Sequence, residues 1–330
     1  MKIMAAFLKY DYGIKERGES LEKTAFIPAL QQVSENVIPF WLEDNGYWED
    51  KQKLQNRILE FAAENNPDII FFILMRDEVT KTTIEALSKK HTTVNWFCDD
   101  QWRFENFTRF VAPMLTYSIT TDKYSLMKYQ QLGIKNVILS QWAASDYVEN
   151  IAFDNIEYKY DVSFVGGKNP TRAWIINYLN KKGYRVRCFG NGWHEGRVSY
   201  GEIKDIFLRS KINLNLSNSV QNDFRYLLSS LKSIREYLSS KKRIEQIKAR
   251  NFEIPCYGGF QLTNYALGLE DYYTIGKEIA IYTSPEDLVI QIEYYLNNEQ
   301  ERKAICLSGY QRSKDYTFEK RIKKVFEELR

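Results

Sequence analysis

Three groups of residues have the types and spacing to do chemistry. The string Val162-Ser-Phe-Val-Gly-Gly-Lys-Asn-Pro-Thr-Arg172 runs from an apolar strand through two glycines into the start of a helix. Gly166 and Gly167 carry no Cβ, so backbone N–H groups there can approach an anion. The helix start adds partial positive charge, and Lys168 and Arg172 can neutralise phosphate oxygens. The string is neither a P-loop nor a GxGxxG motif, and it also reads as a plain strand-to-helix turn with two solvated cations. In Glu245-Gln-Ile-Lys-Ala-Arg-Asn-Phe-Glu253 two carboxylates flank seven residues, and Gly258-Gly259 then leads into a strand. A carboxylate with two oxygens matches the two vicinal hydroxyls of a ribose, and Lys248 and Arg250 can offset pyrophosphate charge. The alternative is a solvated charged helix. In Asn95-Trp-Phe-Cys-Asp99-Asp100 two adjacent carboxylates leave an apolar strand. Their side chains diverge, so one can serve as base or hydroxyl acceptor while the other caps the next segment.

Weaker candidates complete the set. His194 lies in the Gly-rich string GNGWHEG, and His91 follows two lysines as a surface histidine would. Lys241, Lys242 and Arg243 read first as a solvated face and second as a contact with an acidic membrane or acceptor.

The elements that must position these residues alternate between strand and helix. Lys2 to Leu8, Val37 to Trp41, Asp68 to Leu74, Thr92 to Cys98, Leu115 to Thr120 and Val137 to Leu139 read as strands, with helical spacing between them at 21–33, 50–65, 80–90 and 123–132. The continuous apolar run at 69–74 suits a parallel strand buried on both faces. Residues 143–160 show no sustained period and suit a linker. A second alternation follows, with strands at 161–165, 184–189, 211–216, 260–263 and 279–282 and helices at 173–182, 200–210, from Pro285 and from Thr317. Phe224, Leu227, Leu228, Leu231, Ile234 and Leu238 recur at helical spacing, which predicts one amphipathic helix over 222–240. Two parallel α/β units in succession predict two doubly wound, Rossmann-like domains with ligands beyond the carboxyl ends of the strands.

Composition removes several classes of function. A chain of 330 residues with 44% hydrophobic and 15% aromatic residues has ample material for two cores and is not disordered. A net charge of +3 is too balanced for a protein that wraps nucleic acid. Four scattered cysteines (Cys98, Cys188, Cys256, Cys306) and two histidines form neither a disulfide framework nor a zinc site. No apolar run approaches the roughly 18 residues of a membrane span, and the first residues lack a cleavage pattern, so a cytoplasmic location is expected.

IKARNFEIPCYGGFQLTN, then GLEDYYTIGKEIAIYTSPEDL, then YYLNNEQERKAICLSGYQRSKDYTFEKRI, resemble the C-terminal domain of the glycosyltransferase group that includes the spore-maturation CgeB-like proteins, related to family 4 glycosyltransferases. DVSFVGG and SKINLNLS extend the likeness over most of residues 161–330, whereas NWFCDD and ITTDKYSLMKYQQLGIKNV resemble the acceptor domain only loosely. The resemblance implies a GT-B architecture of two Rossmann-like domains facing a central cleft. Residues 1–150 would bind the acceptor, 151–310 the nucleotide-sugar donor, and a last helix over 311–330 would return to the first domain.

The implied activity is transfer of a sugar from a nucleoside-diphosphate sugar to a hydroxyl of a glycan, lipid, protein or small molecule, with no metal and no other cofactor. Glu253 would bind the donor ribose, with Gly166, Gly167, Lys168, Arg172, Lys248, Arg250, Gly258 and Gly259 around the nucleotide and diphosphate. Asp99 and Asp100 would act on the acceptor side, and Glu245 and His194 are candidate sugar contacts. Family 4 enzymes hold their two glutamates in a compact loop after a strand, whereas here the segment 222–240 intervenes before Glu245. A GT-B sugar-nucleotide epimerase and a non-catalytic sugar- or nucleotide-binding module are the competing readings.

Overall fold

A computed structural model of the chain describes residues 1–329. The chain divides into two compact units, Met1–Ser145 with the C-terminal segment from Phe318, and Asp146–Thr317. The divisions fall at Ser145/Asp146 and Thr317/Phe318.

The first unit is built on six parallel strands: β1 (Lys2–Phe7), β2 (Asn36–Trp41), β3 (Ile69–Phe72), β4 (Thr92–Phe97), β5 (Tyr117–Thr120) and β6 (Val137–Leu139), in the order β2-β1-β3-β4-β5-β6. Ile3 stands opposite both Val37 and Ile69, which fixes the register at the centre. All four residues of β3 are buried, as expected of a strand covered on both faces. Pro39, which cannot donate to a ladder, sits on the edge strand β2, where the loss is tolerated. The helices of this unit are α1 (Ile27–Val33), α2 (Lys51–Asn65), α3 (Lys81–Ser88), α4 (Asp100–Arg103), α5 (Arg109–Val111) and α6 (Leu126–Gln131). Local chemistry sets the ends of α2: Asp50 accepts the N–H of Gln52 at 2.8 Å, and Asn66 adopts a left-handed conformation (φ 42°) before Pro67. His91 is tied to the carbonyl of Pro67 at 2.7 Å.

The second unit carries five parallel strands: β7 (Tyr160–Val165), β8 (Val186–Phe189), β9 (Ser210–Asn215), β10 (Gln261–Asn264) and β11 (Ala280–Tyr282), in the order β11-β10-β9-β7-β8. Its helices are α7 (Pro170–Lys181), α8 (Tyr200–Leu208), α9 (Phe224–Leu227), α10 (Leu231–Ser239), α11 (Arg250–Cys256), α12 (Pro285–Asn297) and α13 (Glu299–Ser313). Asn169 caps α7 and Ser284 caps α12, each with proline at the first helical position, where its missing N–H is harmless. The single helix expected over 222–240 is instead two. Ser229 and Ser230 interrupt it, and Ser230 caps α10 by accepting the N–H of Ser233 at 3.1 Å. Its apolar residues do not join the core: Phe224, Leu228, Leu231 and Leu238 are all exposed. The helix α11, which the periodicity does not reveal, is short and buried from Asn251 to Cys256.

The C-terminal helix α14 (Phe318–Glu328) packs in the first unit through Phe318, Ile322 and Val325, all buried in the cluster around Phe26 and Trp96. The rings of Phe318 and Phe26 are 4.6 Å apart, those of Phe26 and Trp96 5.1 Å, and the N–H of Phe318 donates to the carbonyl of Ala144 at 2.9 Å. Phe318→Ala removes a fully buried ring and should cost about 3–5 kcal/mol. Thermal melting should show the loss as a drop of several degrees, and an unchanged melting temperature would remove α14 from the core of this unit.

Candidate donor and acceptor sites

The order of the second sheet reverses between β7 and β9, and in open parallel sheets ligands bind beyond the carboxyl ends of the strands at such a switch point. Arg172, in the first turn of α7, spans it. Nη1 donates to the carbonyl of Gly167 beyond β7 at 2.9 Å, while Nε and Nη2 donate to the carbonyl of Leu216 beyond β9 at 3.1 and 2.9 Å. Burial, reinforced by the charge of Arg250 nearby, lowers the guanidinium pKa to about 10, and Tyr282 and Glu245 partly offset this. The group remains a cation at neutral pH. Its depressed pKa marks positive charge that an anion would relieve.

Glu245 belongs to the same cluster. Burial raises its carboxyl above the usual range, while hydrogen bonds from Ser217 and Ser219 and the charges of Lys248 and Arg172 pull it back. Its Oε2 is buried without a hydrogen-bond partner, so a ligand hydroxyl would satisfy an acceptor that the protein leaves open. Glu253, on α11, is 6% exposed and bonds to Nη1 of Arg250 at 2.7 Å. Burial raises its carboxyl and Arg250 lowers it. Arg250 also lies over the ring of Phe207 at 5.2 Å, and the Lys248 ammonium meets Gln246. Arg172, Glu245, Lys248, Arg250 and Glu253, 81 positions apart at the extremes of the sequence, are therefore electrostatic neighbours in one unit.

The glycines serve other ends than the sequence suggests. The N–H of Gly166 donates to Phe189 at 2.8 Å and its carbonyl accepts from Nε1 of Trp193 at 2.8 Å, while the N–H of Lys168 donates to Asn191 at 2.8 Å. These amides extend β7 alongside β8 and do not cradle a phosphate. Gly166 is needed because a Cβ would meet the Phe164 ring at 2.8 Å. Gly167 is exposed, and the Lys168 ammonium lies 5.2 Å from the Trp193 ring. Gly258 and Gly259 precede β10 and so lie at the amino ends of the strands, away from the switch point. A Cβ on Gly258 (φ 73°) would come within 2.5 Å of Ile151, and one on Gly259 within 2.8 Å of Asn213, so both are packing glycines and not nucleotide contacts. His194 is exposed in the loop after the edge strand β8 and does not join the cluster.

In the first unit the adjacent aspartates separate. Asp100 is 1% exposed, and its carboxylate accepts hydroxyl hydrogens from Thr108, Thr120 and Tyr129 at 2.6, 2.6 and 2.8 Å. Burial raises it to about 6 against these bonds. With both oxygens taken up, Asp100 ties α4 to β5 and α6, and the catalytic role expected of it does not fit. Asp99 lines a small recess with Leu74, Met75, Cys98 and Arg103.

Two further groups near the ends of β1 and β4 escaped the sequence reading. Tyr12, 46% exposed, sits in the left-handed region (φ 55°). Its loop is pinned by Glu43, which accepts the N–H groups of Lys9 and Tyr10 at 2.9 and 3.0 Å, and by Trp48, which donates to Gly13 at 2.8 Å. Glu22 opens a π-helical turn (Glu22–Phe26), and its carboxyl is pushed up to about 7, chiefly by burial. A carboxyl titrating near neutrality is suited to proton transfer. The string GESLEK carries no spacing signal that could have singled it out.

Residues 172–327 match the family described as "Glycosyl transferase-like". No curated protein sequence matches the chain. Among solved structures, a glycosyltransferase from Rickettsia africae is similar with TM-score 0.67 at 9% identity, over 99% of this chain and 97% of that one. Sucrose-phosphate synthase from Thermosynechococcus elongatus gives 0.63 at 8% identity, over 100% and 99%. Anabaena HepE in complex with UDP gives 0.59 at 12% identity, over 100% and 99%. The fold is that of the GT-B glycosyltransferases, with two Rossmann-like parallel sheets. Together with the family match, it supports a glycosyltransferase.

The elevated carboxyl of Glu22 has a sign that can be tested. Its folded pKa of about 7 exceeds the ordinary 4.5, so the folded state resists ionisation and loses stability as pH rises from 4.5 through 7. Glu22→Gln removes that penalty. The variant should melt above the parent at pH 8, with the difference shrinking toward pH 4.5, and a pH-independent difference would refute the buried-carboxyl account.

Proposed function

We propose that this protein transfers a sugar from a nucleoside-diphosphate sugar to a hydroxyl acceptor and that it falls within the CgeB-like group of GT-B enzymes. The observation that carries this reading is the charged cluster around Arg172 at the β7/β9 switch point, where Glu245, one of its oxygens unsatisfied, and the cations Lys248 and Arg250 lie within electrostatic reach, Arg250 being paired in turn with the buried Glu253. Cations suit a diphosphate, and carboxylates suit hydroxyls. In the proposed arrangement Glu253 accepts the two ribose hydroxyls, Glu245 accepts a hydroxyl of the donor sugar, and Arg172, Arg250 and Lys248 neutralise the diphosphate.

As the acceptor oxygen bonds to the anomeric carbon, the bond from that carbon to the diphosphate breaks and negative charge grows on the leaving group. Cations already fixed beside it lower the barrier without reorganising. This is the ground for proposing that no metal is required. Asp99 is assigned to the acceptor hydroxyl, in the unit that also holds the raised carboxyl of Glu22. HepE is similar in fold and has been solved with UDP and with UDP-glucose, which places UDP first among donors to try. The acceptor is a glycan, lipid, protein or small molecule presenting a hydroxyl.

The first test is thermal shift against UDP, GDP, CDP and ADP, because a ligand that binds only the folded state stabilises it by mass action. One of them should raise the melting temperature at millimolar concentration; if none does, the donor site fails. Turnover with acceptor present should survive EDTA, and loss with rescue by a divalent cation would overturn metal independence. An epimerised donor formed without acceptor would reassign the chain to an epimerase. Glu253→Ala removes charge-assisted hydrogen bonds worth about 1.5–3 kcal/mol each. Nucleoside-diphosphate affinity should fall at least about tenfold, and a ligand lacking the ribose hydroxyls should bind parent and variant alike. Unchanged affinity in a variant that melts lower would leave Glu253 a structural residue.

A further inference from the structure

The helix α10 is docked with its polar side inward. Ser233 is buried, its hydroxyl 2.9 Å from those of Ser229 and Ser230, and Glu236 accepts the hydroxyl of Tyr226. Leu231, Ile234 and Leu238, at positions i, i+3 and i+7, form the opposite stripe and are 86%, 40% and 75% exposed. The adjoining turn adds Phe224 and Leu228, 68% and 78% exposed. A cluster of large apolar side chains in water is costly unless something covers it.

The charges around the stripe indicate what that is. Between Phe224 and Ile244 stand six lysines and arginines against the one carboxylate of Glu236, and of the six Arg225 is ion-paired with Asp223 and Glu286. At 100° per residue, Arg235 and Lys232 flank one edge of the Leu231–Ile234–Leu238 stripe, and Lys241 follows the helix. All three are exposed, and none forms an ion pair among the described residues. We infer that this face seats on an anionic lipid surface, the leucines and Phe224 entering the headgroup boundary while the basic side chains extend to lipid phosphates. A second copy of the chain fits less well. A two-fold pairing would set the same basic edge against itself, and a nine-residue helix with one turn offers little of the roughly 800 Å² per partner that a stable dimer needs. The insertion is tied to its base rather than dangling: the N–H of Val220 donates to Lys242 at 3.0 Å, and Ser219 donates to Ile244 at 2.9 Å, next to Glu245.

The inference stands apart from the glycosyl-transfer reading, and its test measures partitioning, not turnover. The full chain is sedimented with vesicles of phosphatidylcholine alone and with vesicles that also contain phosphatidylglycerol, at low and high salt. Two variants are compared with the parent, Leu231→Asp with Leu238→Asp, and Lys232→Glu with Arg235→Glu and Lys241→Glu; their melting temperatures check folding. The parent should bind the anionic vesicles, lose binding in high salt, and bind neutral vesicles at least about tenfold more weakly. Each variant should bind anionic vesicles at least about tenfold more weakly than the parent. Absence of vesicle binding, equal binding to neutral vesicles, or variants that partition like the parent would overturn the proposal. So would a dimer in sedimentation velocity that the leucine variant abolishes while vesicles bind neither protein. If a variant fails to fold, the lipid and salt dependence of the parent still decides the matter.

Discussion

The Arg172 guanidinium is the interaction on which the candidate donor site depends. Strands β7 and β9 are neighbours in the sheet, but their following loops diverge, one entering α7 and the other the insertion that carries α9 and α10. By donating to carbonyls at the ends of both strands, Arg172 closes the gap with bonds that neither backbone could make to the other. The bonds to carbonyl dipoles satisfy its donors without cancelling its charge. That distinction matters: a carboxylate partner at the same place would have given a neutral corner, whereas carbonyls leave a structural cation with its field directed outward. Holding the loops together and keeping a positive charge at the switch point are thus one property of one side chain.

Carboxylates play the corresponding part in the first unit. Glu43 gathers the N–H groups that follow β1, and Asp100 gathers three hydroxyls, one from the segment after β4, one from the end of β5 and one from α6. A buried carboxylate carries acceptor capacity for several donors and needs them all, because an unmet lone pair is expensive away from water. Once three donors surround Asp100, its neighbour Asp99 remains the member of the pair beside the recess. The acidic doublet divides its labour between architecture and surface.

The alternation of strands and helices is legible in the sequence because parallel strands covered on both faces must be continuously apolar, as Ile69 to Phe72 are, and because helix ends carry their own chemistry, as at Asp50, Asn169 and Ser284. The charged residues around Arg172 stand out in the sequence for a related reason: cations and carboxylates close to strand-to-helix junctions have few structural uses. The glycines are not legible in that way. Gly166 and Gly258 look alike on paper, a pair following or preceding a strand, yet one lies at the carboxyl edge with its amide taken up by β8 and the other at the amino edge against Ile151. Which edge a glycine occupies depends on strand direction, and what it spares depends on side chains distant in sequence. Glu22 was hidden for the opposite reason, since its elevated pKa comes from burial that no local pattern encodes.

Periodicity also states that a helix has two faces without stating which one is covered. For α10 the covering is decided by donors and acceptors outside the helix: Tyr226 offers a hydroxyl to Glu236, and the hydroxyls of Ser229 and Ser230 share hydrogen bonds with that of Ser233. The apolar contacts that would favour the opposite docking are already satisfied elsewhere, because α7 and α12 cover the sheet with Ile175, Ile176, Leu179, Leu288 and Ile292. An apolar stripe added to a finished core has nowhere to go but outward. Hydrogen bonds among hydroxyls each contribute about 0.5–1.5 kcal/mol, less than full burial of a leucine at about 1.5–3 kcal/mol, but the filled core offers these leucines no such burial. A surface that keeps that arrangement has its compensation outside the monomer.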